Sequence, residues 1–281
     1  MESSDNHIKA DLHTHTNYSD GIYTPAELIK KAKDAGLNYL AITDHDNVDA
    51  VEGAIKYGKV IGVEIIPGVE ISANYSGREV HILGYFFDYK NAELLEHLRN
   101  FRKERMKRAE KIIEKLNGMS IQLKIEDVLS LAIGNGSVGR PHIAFALLEH
   151  NYIENYHDAF NKYIGDGKPA YDKKPNIAAY DAIKLIAKSG GLSFVAHPGK
   201  NIREKMLIEL IEFGLDGIEV LHPSHNSSDI TYFQNVTEQY FLLDSGGSDF
   251  HGGRINDDSI LGSYWISEQK VKAMKNRLFI C

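Results

Sequence analysis

Short apolar runs alternate with amphipathic stretches along most of this 281-residue chain, and this alternation constrains its fold more than any other feature. Alternating strands and helices are typical of a parallel sheet or barrel covered by helices. Thr24, Pro25 and Glu27 predict a capped helix start. The predicted strands are 8–12, 38–43, 60–69, 79–87, 191–196, 217–221 and 240–244, and further helices are predicted over 47–59, 202–213 and 227–239.

The alternation is interrupted in the middle of the chain. Residues 93–116 predict one long helix, because Leu98, Phe101 and Ile112 keep helical spacing, although Arg105 interrupts the apolar stripe. More helix-like segments follow to about residue 164, without a convincing strand. We therefore interpret residues 90–170 as a helical insertion that forms part of the substrate pocket, and residues 1–89 and 171–281 as one α/β domain.

Composition narrows the classes of partner. The net charge is −7 and the calculated pI is about 6.0, so duplex DNA is not an expected partner, since such binding needs many Lys and Arg contacts to phosphates. The single cysteine, Cys281, allows no disulfide within the chain. The first six residues lack an apolar run and no segment is long enough to span a membrane. We expect a cytoplasmic protein with no membrane partner.

The placement of the 13 histidines is the most informative feature for function. Several histidines and carboxylates lie at or just past the carboxyl ends of predicted strands, which is the rim where parallel barrels build active sites. One such histidine is more often a surface or supporting residue, but so many on one rim indicate a metal site. The candidate ligands are His13, His15, Asp20, His45, Glu70, His81, His197, Asp249 and His251.

The residue types suit divalent metal ions. Neutral imidazole and carboxylate are ligands for zinc, manganese and iron(II). Residues i and i+2 of a strand share a face, so His13 and His15 could bind one ion together, as could Asp249 and His251. Glu70 could bridge two ions. Ions about 3.5–4 Å apart could share a hydroxide and clamp a displacement at phosphorus.

Together the motifs resemble the PHP (polymerase and histidinol phosphatase) family. The matching segments, in family order, are Asp11-Leu12-His13-Thr14-His15-Thr16, Ser19-Asp20-Gly21, Ile42-Thr43-Asp44-His45-Asp46, Pro67-Gly68-Val69-Glu70, His81-Ile82-Leu83-Gly84-Tyr85, Ala196-His197-Pro198 and Gly247-Ser248-Asp249-Phe250-His251.

The resemblance implies a distorted (β/α)7 barrel that binds three divalent ions (manganese, iron or zinc). It implies one ion at His13, His15, Glu70 and Asp249, a second at Glu70, His81 and His197, and a third at Asp20, His45 and His251.

Ser19-Asp20-Gly21 and the helical insertion resemble the stand-alone phosphoesterases of this family. That branch implies a small phosphorylated substrate: a nucleoside monophosphate, a 3′,5′-bisphosphate or a cyclic phosphate. Trimming of short RNA in the 5′-to-3′ direction is an alternative, and histidinol phosphatase is a more distant one.

Four further residues are candidates for substrate contact or proton transfer. Arg140 could bind a phosphate bidentately, and His142 could protonate the leaving group, although a helix start with a solvated Arg would also explain them. His222 follows a predicted strand and could contact substrate or act as an acid, or could only support a ligand. Lys168 could reach the phosphate but could equally belong to an ordinary loop. His225 is a weaker candidate.

Arg99 to Lys115 contains eight cations and three acids. We interpret it as a solvated helix face, with a weak guide for short RNA as the alternative.

We therefore expect a phosphoric ester hydrolase that uses a metal-bridging hydroxide, with Arg140, His142 and His222 at the reacting phosphate. Two other classes remain open: a non-catalytic, metal-stabilised nucleotide-binding domain, and amide hydrolysis on the same scaffold.

Overall fold

The computed structural model describes residues 8–132, 137–173, 177–253 and 259–279. The first six residues and Cys281, on which the expectations about a leader and a disulfide rest, lie outside these ranges. Within them, no helix combines the length and the apolar character that crossing a bilayer requires.

The strands of the described residues form one sheet. They are β1 (Lys9–Thr14), β2 (Tyr39–Ile42), β3 (Glu64–Tyr75), β4 (Arg78–Tyr85), β5 (Ile177–Ala178), β6 (Leu192–Val195), β7 (Gly217–Leu221), β8 (Leu243–Gly246) and β9 (Ile266–Ser267). Their order is β8-β7-β6-β4-β3-β2-β1-β9, and β5 adds to the side of β3.

The sheet curls into a nearly closed barrel. A parallel bridge between Thr14 and Phe250 connects β1 with the segment that follows β8. Seven of the described strands have four or more residues, which agrees with the seven strands predicted. Leu12, Ile66, Leu83 and Phe194 belong to one buried core cluster of these strands. The predicted α/β barrel is confirmed.

The described helices are α1 (Pro25–Asp34), α2 (Val51–Ile61), α3 (Ala92–Asn117), α4 (Ile125–Leu129), α5 (Arg140–Glu149), α6 (Tyr156–Asp158), α7 (Ala179–Lys188), α8 (Glu204–Glu212), α9 (Ser227–Gln239) and α10 (Glu268–Leu278), with a π-helical turn at Ala159–Ile164. Helix α1 begins as predicted. The Thr24 hydroxyl accepts a hydrogen bond from the Glu27 N–H, and the Glu27 carboxylate accepts one from the Thr24 N–H.

The sheet is not parallel throughout, which corrects the expectation. Strand β4 is antiparallel to both β3 and β6. The physical reason is that a two-residue turn joins β3 to β4: Ser76 and Gly77 both have positive φ (49° and 86°), the geometry of a tight hairpin. A parallel neighbour would need a crossover helix, and no residues remain for one.

Two of the predicted strands, β3 and β8, have different boundaries in the structure. Strand β3 begins at Glu64, because α2 runs to Ile61 and ends on the left-handed Gly62. It continues to Tyr75, since β4 pairs with it along its length. Glu70 therefore lies within a strand rather than after one. Strand β8 begins only at Leu243, because the preceding three residues complete the end of α9.

Helices α3 to α6 surround a hydrophobic cluster of their own, which includes Leu116, Val128, Ile143 and Ile164. The described residues between α3 and the π-helical turn contain no strand. The division into residues 1–89 with 171–281 and an insertion at 90–170 stays a prediction.

Candidate metal centre and phosphate site

Glu70 lies at the centre of the site and is almost fully buried. Its position inside β3, opposite β4, directs the carboxylate toward the candidate ligands. Five imidazole nitrogens surround its two oxygens. Glu70 Oε1 is 2.7 Å from His81 Nδ1 and 3.0 Å from His197 Nε2. Glu70 Oε2 is 3.0 Å from His45 Nδ1, 3.3 Å from His15 Nε2 and 3.4 Å from His13 Nε2.

Asp249 joins the first of the three predicted ligand groups. Its Oδ1 lies 3.4 Å from His13 Nε2 and 3.2 Å from His15 Nε2. The backbone of Asp249 has a φ of 50°, an unfavourable conformation for a non-glycine residue that recurs at functional sites. Two residues earlier, Gly247 packs so closely on β1 that a Cβ there would lie 2.4 Å from the backbone nitrogen of His13.

The third predicted group is also brought together. Asp20 Oδ1 is 3.2 Å from His251 Nε2, and Asp20 Oδ2 is 4.0 Å from His45 Nε2. Gly21 is required beside it, because a Cβ there would lie 2.5 Å from the His15 carbonyl oxygen. Asp249 and His251 were expected from their spacing to be able to share an ion. His251 Nδ1 lies 3.6 Å from Asp249 Oδ1, and a shared ion stays a prediction. They follow the end of β8, so the alternation of a strand does not apply to them.

Several buried ring nitrogens face the centre without a hydrogen bond to the described residues. The Nδ1–H of His13 donates to Glu219 (2.8 Å) and that of His251 donates to the Asp249 carbonyl (2.7 Å). Each neutral ring then keeps an unprotonated Nε2. Among the described residues, His13 Nε2, His15 Nε2, His45 Nδ1 and His251 Nε2 are buried and have no hydrogen-bond partner. Buried polar atoms of this kind need a partner, and a divalent cation fits this donor set.

The electrostatics agree with bound cations. Burial acts to raise the pKa of Glu70, but His45 and His81 hold it well below its usual range. The pKa values of Asp20 and Asp249 are also well below the usual range, against the effect of burial, because histidines surround them. Burial acts to lower the pKa of His15, but Asp249 and Glu70 raise it to about 9. The three carboxylates are therefore ionised at neutral pH, and the site attracts positive charge.

Sequence reasoning gave no role to two buried carboxylates that position the ligands. Glu219 accepts hydrogen bonds from His13 Nδ1 and from the His197 backbone N–H (2.6 Å). Asp44 accepts from Thr16 and from the Ser19 hydroxyl (2.6 Å), which fixes the loop before Asp20. The role of Glu219 could have been suspected from the sequence, because it is a charged residue inside the otherwise apolar strand β7.

His222 lies at the centre, as predicted, and its hydrogen bonds indicate its protonation. The Ser224 N–H donates to His222 Nδ1 (3.1 Å), so a neutral ring carries its hydrogen on Nε2. That Nε2 is buried, has no hydrogen-bond partner among the described residues, and lies 3.7 Å from Asp249 Oδ2. A neutral His222 is thus placed to donate a hydrogen bond from Nε2, and its ring also lies with His13 and Glu219 in a group that could hold a metal ion.

The other substrate candidates have different surroundings. Arg140, at the start of α5, lines a cavity together with Asp20 and His45. His142 is buried between backbone groups: the Gly139 N–H donates to its Nδ1 (3.2 Å), and it also bonds the Ser19 backbone. Burial lowers its pKa. The contact with Ser19 joins the insertion to the loop of Asp20, and the role of His142 at the leaving group stays a prediction. Lys168 is exposed and does not line that cavity.

His225 connects backbone segments rather than reaching substrate. Its Nδ1 donates to the Val220 carbonyl (2.9 Å), and its Nε2 accepts from the Gly199 N–H (3.1 Å).

The basic stretch of α3 is not wholly a solvated face, which corrects that interpretation. Arg105 and Arg108 are only 5% and 6% exposed. Arg105, the residue that interrupts the apolar stripe, pairs with the buried Asp46 (2.7 Å) and bonds the Ser72 hydroxyl (2.9 Å). This contact attaches α3 to the loop that follows His45.

A second, larger cavity of about 520 Å³ opens beside Asp20 and His251. Phe145 and Tyr156 contribute aromatic rings to its wall, and their centroids are 4.9 Å apart.

Comparison with known proteins identifies the family. The profile of the PHP domain matches residues 11–202. The chain belongs to the PHP family. This confirms the prediction made from the motifs.

Relatives match the PHP protein along most of its length. It is 34% identical to a 5′-3′ exoribonuclease of Haemophilus influenzae over 86% of this chain and 90% of the relative. It is 30% identical to a 3′,5′-nucleoside bisphosphate phosphatase of Chromobacterium violaceum, over 87% and 89%. The crystal structure of a candidate metal-dependent phosphoesterase from Bifidobacterium adolescentis superposes with a TM-score of 0.88 at 30% identity, over 95% and 96%. These names agree with the predicted class, a phosphoric ester hydrolase.

Proposed function

We propose that this PHP protein hydrolyses phosphate esters of nucleotides at the centre built around Glu70. The observation on which this rests is the convergence of six histidines and three carboxylates, with buried ring nitrogens that face the carboxylates and make no hydrogen bond to the described residues. A structural cluster would pair these nitrogens with one another or with the backbone, as His225 does.

Three divalent ions would be held as follows. His13, His15, Glu70 and Asp249 would bind one, Glu70 with His81 and His197 a second, and Asp20 with His45 and His251 a third. When bound, such ions supply an activated water and neutralise the charge of the phosphate.

The protein's own residues provide orientation. The Nε2–H of a neutral His222 lies beside Asp249 and would donate a hydrogen bond to the oxygen that leaves phosphorus, while water supplies the proton that this oxygen takes up. Glu219 keeps the His13 ring in the orientation and tautomer that ligation needs.

The aromatic-lined cavity favours a nucleotide among phosphate esters. It begins at Asp20 and His251, so a group bonded to a phosphate at the centre enters it directly. Rings such as those of Phe145 and Tyr156 provide stacking surfaces for a nucleobase. The same surfaces could also stack the bases at the 5′ end of a short RNA. Cleavage of RNA from that end is the activity that names the Haemophilus influenzae relative, a 5′-3′ exoribonuclease.

The test is a substrate screen with protein stripped of metal and then loaded with manganese. Phosphate or nucleotide release is measured for AMP, adenosine 3′,5′-bisphosphate, a cyclic nucleotide, histidinol phosphate, a short 5′-phosphorylated RNA and an amide. We expect turnover of the nucleotide esters, abolished by chelator. Preference for the RNA would assign the exoribonuclease activity instead.

Matched variants separate enzyme from binding domain. Glu70→Gln should lower turnover by more than roughly 100-fold, because it removes the central carboxylate. Glu64→Gln, the same substitution at an exposed position of the same strand, should leave it unchanged. No turnover of any phosphate ester, or equal activity of the two variants, contradicts the proposal.

A further inference from the structure

His45 differs from His13 and His251 in how its ring is held. The Nδ1–H of His13 donates to Glu219, and that of His251 donates to the Asp249 carbonyl oxygen. Such bonds fix the orientation of a ligating ring. His45 Nδ1, by contrast, is buried and makes no hydrogen bond to the described residues. The orientation of the His45 ring therefore depends on the backbone of the loop that follows β2.

Asp46, the next residue, attaches this loop to β3. Its N–H donates to the Glu70 carbonyl oxygen (3.0 Å), and its buried carboxylate accepts from the N–H and the hydroxyl of Ser72 (2.8 and 2.9 Å). Ser72 lies two residues after Glu70 and pairs with His81 of β4. The φ of Asp46 is 53°, a left-handed conformation that a non-glycine residue keeps only when surrounding contacts hold it. The position of the loop thus depends on the contacts of Asp46.

Helix α3 supplies the remaining contacts of Asp46. Arg105 Nε and Nη2 donate to Asp46 Oδ2 (2.9 and 2.7 Å), and Nη2 also donates to the Ser72 hydroxyl (2.9 Å). Arg102 donates to the Asp46 carbonyl oxygen (3.3 Å). A buried carboxylate that loses its cationic partner is strongly destabilised, so Asp46 keeps this arrangement only while Arg105 lies beside it.

Stability alone does not account for a charged pair at this position. The desolvation of two buried charges offsets most of their attraction, and apolar side chains of similar volume would join α3 to the loop as firmly. A fully satisfied polar network adds direction, because its hydrogen bonds allow one arrangement of the groups. Here the group that is directed is the backbone on which His45 lies.

We propose that Asp46 and Arg105 are positioning residues that orient His45 toward Asp20 and His251, so that α3 sets the metal affinity of this third ligand group. Neither residue touches the substrate or is itself among the proposed ligands. The inference rests on the proposed function, since it assumes the ligand groups around Glu70, and it adds the residues on which one of those groups depends.

The experiment measures manganese binding in the absence of substrate. Chelator competition on metal-stripped protein gives the affinity of each ion for the wild type, Arg105→Ala and a matched control, Leu116→Ala. Leu116 is fully buried about three turns further along the same helix, so its loss destabilises α3 without removing a contact of Asp46. Urea titration checks that both variants are folded and have lost stability.

Arg105→Ala should weaken the binding of one ion about 10-fold and leave the others at wild-type affinity, whereas Leu116→Ala should bind every ion like the wild type. Arg105→Lys keeps a cation beside Asp46 but loses the planar fork that also reaches Ser72, so its loss should be smaller. In a His45→Ala background, Arg105→Ala should cause no further loss, because both changes act on the same ion.

Three results would overturn the positioning role: unchanged affinities in Arg105→Ala, an equal loss in Leu116→Ala, or an additive loss in the His45→Ala background. A wild type that binds no manganese would overturn this role and the proposed function together. If no phosphate ester is hydrolysed but Arg105→Ala still weakens one ion alone, the proposed function fails and the positioning role stands. If esters are hydrolysed and every Arg105 variant binds manganese like the wild type, the reverse holds.

Discussion

Replacing Glu219 by Gln should weaken metal binding although Glu219 is not itself among the proposed ligands. Glu219 is fully buried on β7, and its two oxygens accept from His13 Nδ1 (2.8 Å) and from the His197 backbone N–H (2.6 Å). Gln keeps the shape but offers one oxygen and one NH2 group. The backbone N–H cannot change its role, so the amide oxygen stays with His197 and the NH2 group faces His13.

That arrangement changes the tautomer of His13. To accept from the amide, the ring must leave Nδ1 unprotonated and carry its hydrogen on Nε2, the nitrogen that faces Glu70 and Asp249. A protonated Nε2 cannot bind a metal. Loss of a partner of this kind lowers metal affinity by about 10- to 100-fold, which corresponds to roughly 1.4–2.7 kcal/mol.

The assay is a chelator competition that gives the dissociation constant of manganese for the wild type and for Glu219→Gln. Asp216→Asn is the matched control, because Asp216 also accepts two hydrogen bonds, from the N–H and hydroxyl of Ser193, but away from the centre. It should keep the wild-type affinity. Equal affinities for Glu219→Gln and the wild type would refute this account of how the His13 ring is held.

Three further outcomes follow from the same contacts. Arg105→Ala leaves a buried carboxylate without its partner and should lower the free energy of unfolding by about 3–5 kcal/mol, whereas the exposed Lys107→Ala should change it by less than about 0.5 kcal/mol; urea titration measures both. His222→Ala should lower kcat by about 100- to 1,000-fold at unchanged metal content, because it removes a hydrogen-bond donor that faces the leaving oxygen, so a parallel loss of metal would contradict the donor role. Gly247→Ala forces a Cβ against β1 and should destabilise the fold by about 1–3 kcal/mol, which lowers Tm. Gly53→Ala lies at an open helical position and should leave Tm unchanged. Equal Tm values for the two variants would refute the close approach of Gly247 to β1.

The sequence allowed the barrel and the convergence of histidines and carboxylates at one place to be predicted, because strand-like runs end next to residues with distinctive chemistry. His45 and His197 follow β2 and β6 as expected. The hairpin of β3 and β4 was missed because Ser76-Gly77 lies beyond the apolar run on which the strand boundary was based. Pairing with β4, and with β5 at Ala73 and Asn74, keeps residues 70–75 extended.

Other features depend on contacts between distant segments. Arg105 looked like a defect in an apolar helix face, but its partner, Asp46, is 59 residues away. The hydrogen bonds of His142 to the backbone of Gly139 and Ser19, which join the insertion to the loop before Asp20, could not be foreseen either, and its role at the leaving group stays a prediction. Periodicity reports which face of an element is buried, and it does not report the partner of a buried charge.

The central claim is that the histidines and carboxylates around Glu70 form a multi-metal centre that hydrolyses phosphate esters. The most direct test titrates metal-stripped protein with manganese while phosphate release from adenosine 3′,5′-bisphosphate is measured. The account predicts no release without metal and a rise that is complete only when about three ions per chain are bound. Full activity in the stripped protein, or a plateau at a single ion, would contradict it.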